Sequence, residues 1–169
     1  MDGTLAVVFA LTSAADMGLN YCADGCLSRS SVPATYAINV GDVQFQEESI
    51  ATEGYIRFHL DRQYGPWQPF IGFSQTDESS IWIGAGFAHQ IPLSESVYLE
   101  TSLAPGYYSM GDGPDLGSAL EFRSAAEINF RVSEGVGVGF GYDHRSNADI
   151  EPVNPGLETA YIRFTFAME

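Results

Sequence analysis

The chain has 169 residues, room for one domain with a real core, and carries 22 acidic against 7 basic residues for a net charge of −15. That balance excludes the basic surface on which nucleic-acid binding depends, so no nucleic-acid partner is expected. All seven basic residues are arginine, and 18 glycines with 13% aromatics suit short strands and tight turns better than a helical bundle.

The N-terminal segment, residues 1–34, stands apart. Residues 5–15 (LAVVFALTSAA) have the apolar core and small-residue end of a secretory leader, but only Asp2 precedes them where a leader opens on basic residues. The same stretch also reads as a helix or strand of the mature chain. Cys22 and Cys26, the only cysteines, sit in a polar loop (CADGC) where they can form a small disulfide in an oxidising compartment or remain as thiols. No further metal ligands lie near them.

From residue 35 to 169 the chain reads as one β domain. Runs of about ten residues alternate apolar and polar side chains and are separated by turn residues. Strands are predicted over 35–46, 52–62, 67–76, 80–91, 96–110, 117–132, 135–147 and 157–168. Even spacing and short joins predict an antiparallel meander, and eight strands can close into an up-and-down barrel filled by its own side chains. No apolar run reaches the roughly 18 residues of a spanning helix. A barrel strand needs only about 9–11 residues.

Alternation sets the faces. In the sixth strand Leu120, Phe122, Ser124, Ala126, Ile128 and Phe130 oppose Glu121, Arg123, Ala125, Glu127, Asn129 and Arg131; in the eighth, Ala160, Ile162, Phe164 and Phe166 oppose Thr159, Tyr161, Arg163 and Thr165. Arg57, Arg123, Arg131 and Arg163 thus share the polar face with Glu121 and Glu127. A soluble barrel would turn that face to water and would normally include lysines there. A transmembrane barrel turns it into a lumen where Arg and Glu satisfy one another, and this eight-stranded antiparallel transmembrane β-barrel is the expected fold. His59 and His89 read as lumen or rim residues, and Trp67 and Trp82 as interface aromatics. Gly137, Gly139 and Gly141 form a stripe that gives large lumen side chains room or bends the strand.

One constellation breaks the apolar face. His144 and Ser146 share the parity of Val138, Phe140 and Tyr142, and Glu158 shares that of Ala160 and Ile162, near the ends of consecutive strands. A serine hydroxyl is a weak nucleophile until a base takes its proton. Histidine suits that task near neutral pH, and a carboxylate on its other ring nitrogen fixes the tautomer. The bland alternative is a set of interfacial polar residues capping the barrel end.

His144-Arg145-Ser146-Asn147 followed by Asn154-Pro155-Gly156-Leu157-Glu158, with Asp115-Leu116-Gly117-Ser118 and Glu121-Phe122-Arg123-Ser124 upstream, resembles the lipid A deacylase family of small outer-membrane barrels. The likeness is strongest over 97–169 and extends more loosely to Trp67-Gln68-Pro69-Phe70. It implies a serine esterase of the bacterial outer membrane that removes the 3-O-linked acyl chain of lipid A (lipopolysaccharide) with no cofactor or metal. Ser146 would be the nucleophile, His144 the base, and Glu158 its orienter. Asn147 and the Asp149 N–H would supply the oxyanion donors, with Asn154 and Arg145 nearby, Arg145 as a partner of Asp149 or of a lipid phosphate. Asp149 departs from the small or uncharged residue usual at its position. That departure and the acidity of the chain leave a non-catalytic barrel with a structural or partner-binding role as the competing reading. A homodimer or a protein partner is compatible with either.

Overall fold

The computed structural model describes residues 3–168; Met1, Asp2 and Glu169, at the outer limits of the N-terminal segment and the barrel domain, lie outside the described residues. Helix α1 (Thr4–Asp16) runs into a π turn (Met17–Tyr21) and a 3-10 turn (Cys22–Asp24), and Cys22 and Cys26 are joined in a disulfide. A short β1 (Arg29–Ser31) follows and pairs with an equally short β4 (Arg62–Tyr64). The remaining strands are long: β2 (Thr35–Phe45), β3 (Glu48–His59), β5 (Trp67–Thr76), β6 (Ile81–Pro92), β7 (Val97–Ser109), β8 (Leu120–Ser133), β9 (Val136–Ser146) and β10 (Leu157–Ala167). Each pairs antiparallel with its neighbour, and β10 returns to pair with β2, so the eight form a closed up-and-down barrel. Closure leaves no unpaired strand edge, the condition for placing a sheet in hydrocarbon.

The period-2 pattern lands as expected. Ile38, Ile56, Ile71, Ile83, Phe140 and Ile162 are exposed on the outer wall, while Arg57, Arg123, Arg163, Glu100 and Glu127 are buried in the lumen. The lumen charges form two paired layers. In one, Arg57 bonds Glu100 and Glu127 at 2.9 Å each, Arg163 bonds Glu100 at 2.7 Å and also Glu127, and the Tyr161 hydroxyl donates to Glu127 at 2.6 Å. In the other, Arg123 pairs with Glu53 at 2.6 Å and with Asp143, and Arg145 reaches Glu53 at 2.8 Å. Arginine suits this work because its planar fork serves two acceptors at once, which a lysine cannot do as well. The glycine stripe has the expected use: a side chain at Gly141 would run into the Tyr161 ring, and one at Gly139 into Asn129.

Several positions differ from expectation. Gln46 and Glu47 both adopt left-handed φ, 52° and 70°, as a two-residue hairpin turn requires, so β3 begins at Glu48 rather than at 52. Trp82 is not an interface aromatic; it is fully buried inside the barrel and donates its indole N–H to the Glu121 carbonyl at 3.2 Å. His59 is indeed in the lumen, 3.4 Å from Glu100, but His89 faces outward and is buried at the foot of α1. Arg131 lies at the exposed rim, over the Tyr98 ring.

Candidate functional site

The antiparallel register of β9 and β10 sets Glu158 directly opposite His144. Cross-strand partners share a face, so both side chains emerge on the outer wall, where Glu158 Oε1 lies 3.1 Å from His144 Nδ1. Ser146 is the next outward side chain along β9, and its strand neighbours across β8 are Phe122 for Ser146 and Ser124 for His144. His144 is 3% exposed and Ser146 9%, so the pair is largely shielded from water although it sits on the outside of the barrel. His144 Nε2 is buried and has no hydrogen-bond partner among the described residues. Ser146 shares the outward face but makes no hydrogen bond to the imidazole, and a histidine with one nitrogen fixed by a carboxylate and the other unbonded can accept a proton on the free side.

Gly156 shapes this pocket. It adopts φ +76°, and a Cβ there would stand 2.7 Å from His144 Cε1, so the bare backbone is what lets the β9–β10 loop close flat against the imidazole. The sequence carried this residue inside its Asn-x-Gly-x-Glu motif but gave no reason to single it out.

The loop residues divide their roles differently from the sequence expectation. Asn147 is fully buried, and its side-chain amide donates to Leu116 O at 3.1 Å and Val153 O at 2.7 Å. Both amide hydrogens are thereby used, and its backbone N–H goes to Asn154 Oδ1 at 3.0 Å. Asn147 therefore ties the loop together and has no side-chain donor left for an oxyanion. Asn154 spends one amide hydrogen on Asp149 Oδ1 at 2.8 Å and keeps the other. Asp149 is exposed with φ 58°, its carboxylate held by Asn154. Arg145 contacts neither Asp149 nor the lipid side. Alternation along β9 turns it inward, where it is 1% exposed, bonded to Glu53 and donating to Thr159 Oγ1 at 2.7 Å. Among the described residues no three His, Cys, Asp or Glu side chains are grouped to hold a metal ion.

The family model for lipid A 3-O-deacylase (PagL) matches residues 41–167, nearly the whole barrel. The chain belongs to this family. A lipid A deacylase of Bordetella bronchiseptica (strain ATCC BAA-588 / NCTC 13252 / RB50) is 28% identical over 85 residues, covering 50% of this chain and 43% of that relative. The matched stretch is therefore less than half the length of the curated relative. Among solved structures, the outer-membrane enzyme PagL aligns with TM-score 0.62 at 18% identity over 79% of this chain and 99% of the other. Neisserial surface protein A aligns with TM-score 0.56 at 12% identity over 83% and 99%, and a designed transmembrane β-barrel with 0.60 at 12% over 82% and 98%. At these identities the structural likeness speaks for the barrel fold. Membership of the deacylase family rests on the sequence match, which includes the strands that carry His144, Ser146 and Glu158.

Proposed function

We propose that the protein is an outer-membrane serine esterase that removes the 3-O-linked acyl chain of lipid A. The observation that carries this reading is the His144–Glu158 hydrogen bond on the lipid-facing wall, beside an outward serine. A buried imidazole and a half-buried carboxylate on such a face cost stability that a purely structural barrel has no reason to spend. The dyad stands at the end of the barrel opposite Thr35 and Ala167, where β2 begins and β10 ends. That end carries the longer joins, 110–119 and 147–156, the usual mark of the cell exterior. Lipid A in the outer leaflet would thus meet the site edge-on.

In the proposed reaction His144 Nε2 takes the Ser146 hydroxyl proton as Oγ attacks the ester carbonyl, and Glu158 stabilises the imidazolium. The tetrahedral intermediate collapses as His144 returns the proton to the 3-hydroxyl leaving group, and water then releases the fatty acid by the reverse sequence. The free amide hydrogen of Asn154 and the Asp149 N–H are the proposed oxyanion donors, replacing Asn147. Just below the dyad, Val40, Phe140, Ala160 and Ile162 border a shallow outer-wall depression over Gly41 and Gly141, with Asp42 and Thr52 on its margin, and its apolar side is a track for the departing acyl chain.

The test is to incubate the detergent-purified protein with lipid A and follow products by mass spectrometry. Loss of one hydroxyacyl chain with the parent but not with Ser146→Ala supports both the activity and the nucleophile. No loss between about pH 6 and 9, with and without divalent cation, would favour the structural or partner-binding barrel.

A further inference from the structure

Helix α1 exposes aliphatic side chains and covers polar ones in its second half. Its buried or half-buried face carries Leu5, Ala6 and Phe9 in the first half and Thr12, Ser13 and Asp16 in the second, while Val7, Val8 and Leu11 are exposed on the opposite side. A helix on a water-soluble protein shows the reverse arrangement. A helix packed on a protein inside a bilayer shows this one, with small and polar residues at the contact and aliphatic residues toward lipid. A leader's apolar segment needs no such division.

The barrel wall under α1 has a matching defect in its apolar surface. The helix packs against β7 and β8. On the outward parity of these strands and the adjoining β6, where isoleucine, leucine and phenylalanine otherwise prevail, stand His89, Thr101 and Ser124. All three are buried, at 1%, 4% and 4% exposure. The contact is closed at its lower end by Asp16 Oδ2, 3.0 Å from His89 Nε2. Ser13 at the centre of the buried face is fully covered. The Asp16–His89 bond is the polar link across the contact, while the Thr12 and Ser13 hydroxyls donate to the helix's own Val8 and Phe9 carbonyls, so the helix meets the polar seam with its hydroxyls already satisfied and covers it from lipid.

The seam also leads to the dyad, since Ser124 is the β8 neighbour of His144. We propose that α1 is a lipid-embedded buttress of the working protein. It docks on the β6–β8 wall by the face that carries Phe9, Ser13 and Asp16 and fences the catalytic groove on its β8 side, so that an acyl ester enters from the β9–β10 side. The docking half stands on its own; the fencing half rests on the esterase reading.

The test uses the full chain purified from outer membranes. Cys22 and Cys26 are paired, so a nitroxide on Val7→Cys labels α1 alone. The expected spectrum is immobilised, with the label accessible to oxygen dissolved in lipid and shielded from water-soluble relaxants. Ser13→Trp, too large for a fully covered serine site, should release the helix and mobilise the label while the barrel stays folded by its heat-dependent gel shift. A mobile, water-accessible label in the parent, or an intact mass showing that the purified protein begins beyond Asp16, overturns the docking. For the fence, Ser13→Trp should lose its preference for the 3-O chain over other ester-linked chains of lipid A, while hydrolysis of a short soluble ester is retained. Unchanged selectivity with a released helix overturns the fence. Absence of any lipid A hydrolysis by the parent refutes the esterase reading and with it the fence, leaving the docking result intact.

Discussion

Gly156→Ala isolates the geometry of the base from its chemistry, because it alters none of the reacting groups. Two effects follow from the structure. A non-glycine residue at φ +76° costs about 1–2 kcal/mol of backbone energy. The new methyl would also stand 2.7 Å from His144 Cε1, where carbon atoms settle at about 3.5–4.0 Å. The imidazole or the loop must give way by roughly 1 Å, a misplacement that costs about 10²-fold in rate. The barrel network lies on the other side of the wall and is untouched. The expectation is therefore a turnover on lipid A lowered by about 10²-fold, some 2.7 kcal/mol in the barrier, with thermal unfolding in detergent shifted by no more than the backbone term. Steady-state deacylation by mass spectrometry, paired with unfolding of the same preparation, measures both. Wild-type turnover in a folded Gly156→Ala protein would refute the idea that the loop holds His144 in its working position.

Glu158→Gln keeps the hydrogen-bonding shape but loses the charge that stabilises the imidazolium, and kcat should fall by about 10²–10⁴-fold with KM little changed; an equal loss confined to KM would reassign Glu158 to substrate binding. Asn154→Ala should cost about 10²–10³-fold in kcat by removing an oxyanion donor, whereas Asn147→Ala should act first on stability, by about 1–3 kcal/mol, through the unpaired carbonyls of Leu116 and Val153. The opposite pattern in kinetics and unfolding would restore Asn147 as the donor. Arg163→Met leaves Arg57 alone to balance both Glu100 and Glu127 in the lumen and should destabilise the barrel by about 3–5 kcal/mol, read by unfolding in detergent, while the folded fraction keeps its specific activity.

The alternation of side chains made most of this molecule readable in advance. It assigned Arg57, Arg123 and Arg163 to the lumen and Phe140, Ile162 and Phe164 to the outer wall, and both assignments follow from the pleat alone. It also brought His144, Ser146 and Glu158 to one face. The same rule, applied consistently, would have sent Arg145 inward and Trp82 into the barrel. Treating Arg145 as a motif neighbour of Ser146 rather than as a residue of opposite parity led to the wrong partner. His89 had a visible signal, a titratable residue between Phe87 and Ile91 on an apolar face, but its meaning needs a helix that no strand pattern announces. The residues 5–15 that form most of that helix look apolar in one dimension apart from Thr12 and Ser13, and which side is covered is not written in their order. The loop amides of Asn147 and Asn154 were beyond reach for another reason. Their spacing is compatible with either as donor, and only the carbonyls of Leu116 and Val153 decide between them.

The lumen of this barrel is bridged by two layers of ion pairs, and its chemistry-bearing groups are turned outward. A reaction on such a surface has no mouth and no exit tunnel. Reactant and product share one two-dimensional phase, encounter is by lateral diffusion, and the concentration that governs rate is the mole fraction of lipid in the leaflet. Diluting the suspension leaves that fraction unchanged, whereas diluting the leaflet with inert lipid lowers it, and a released fatty acid that stays in the same plane returns to the wall as a competitor.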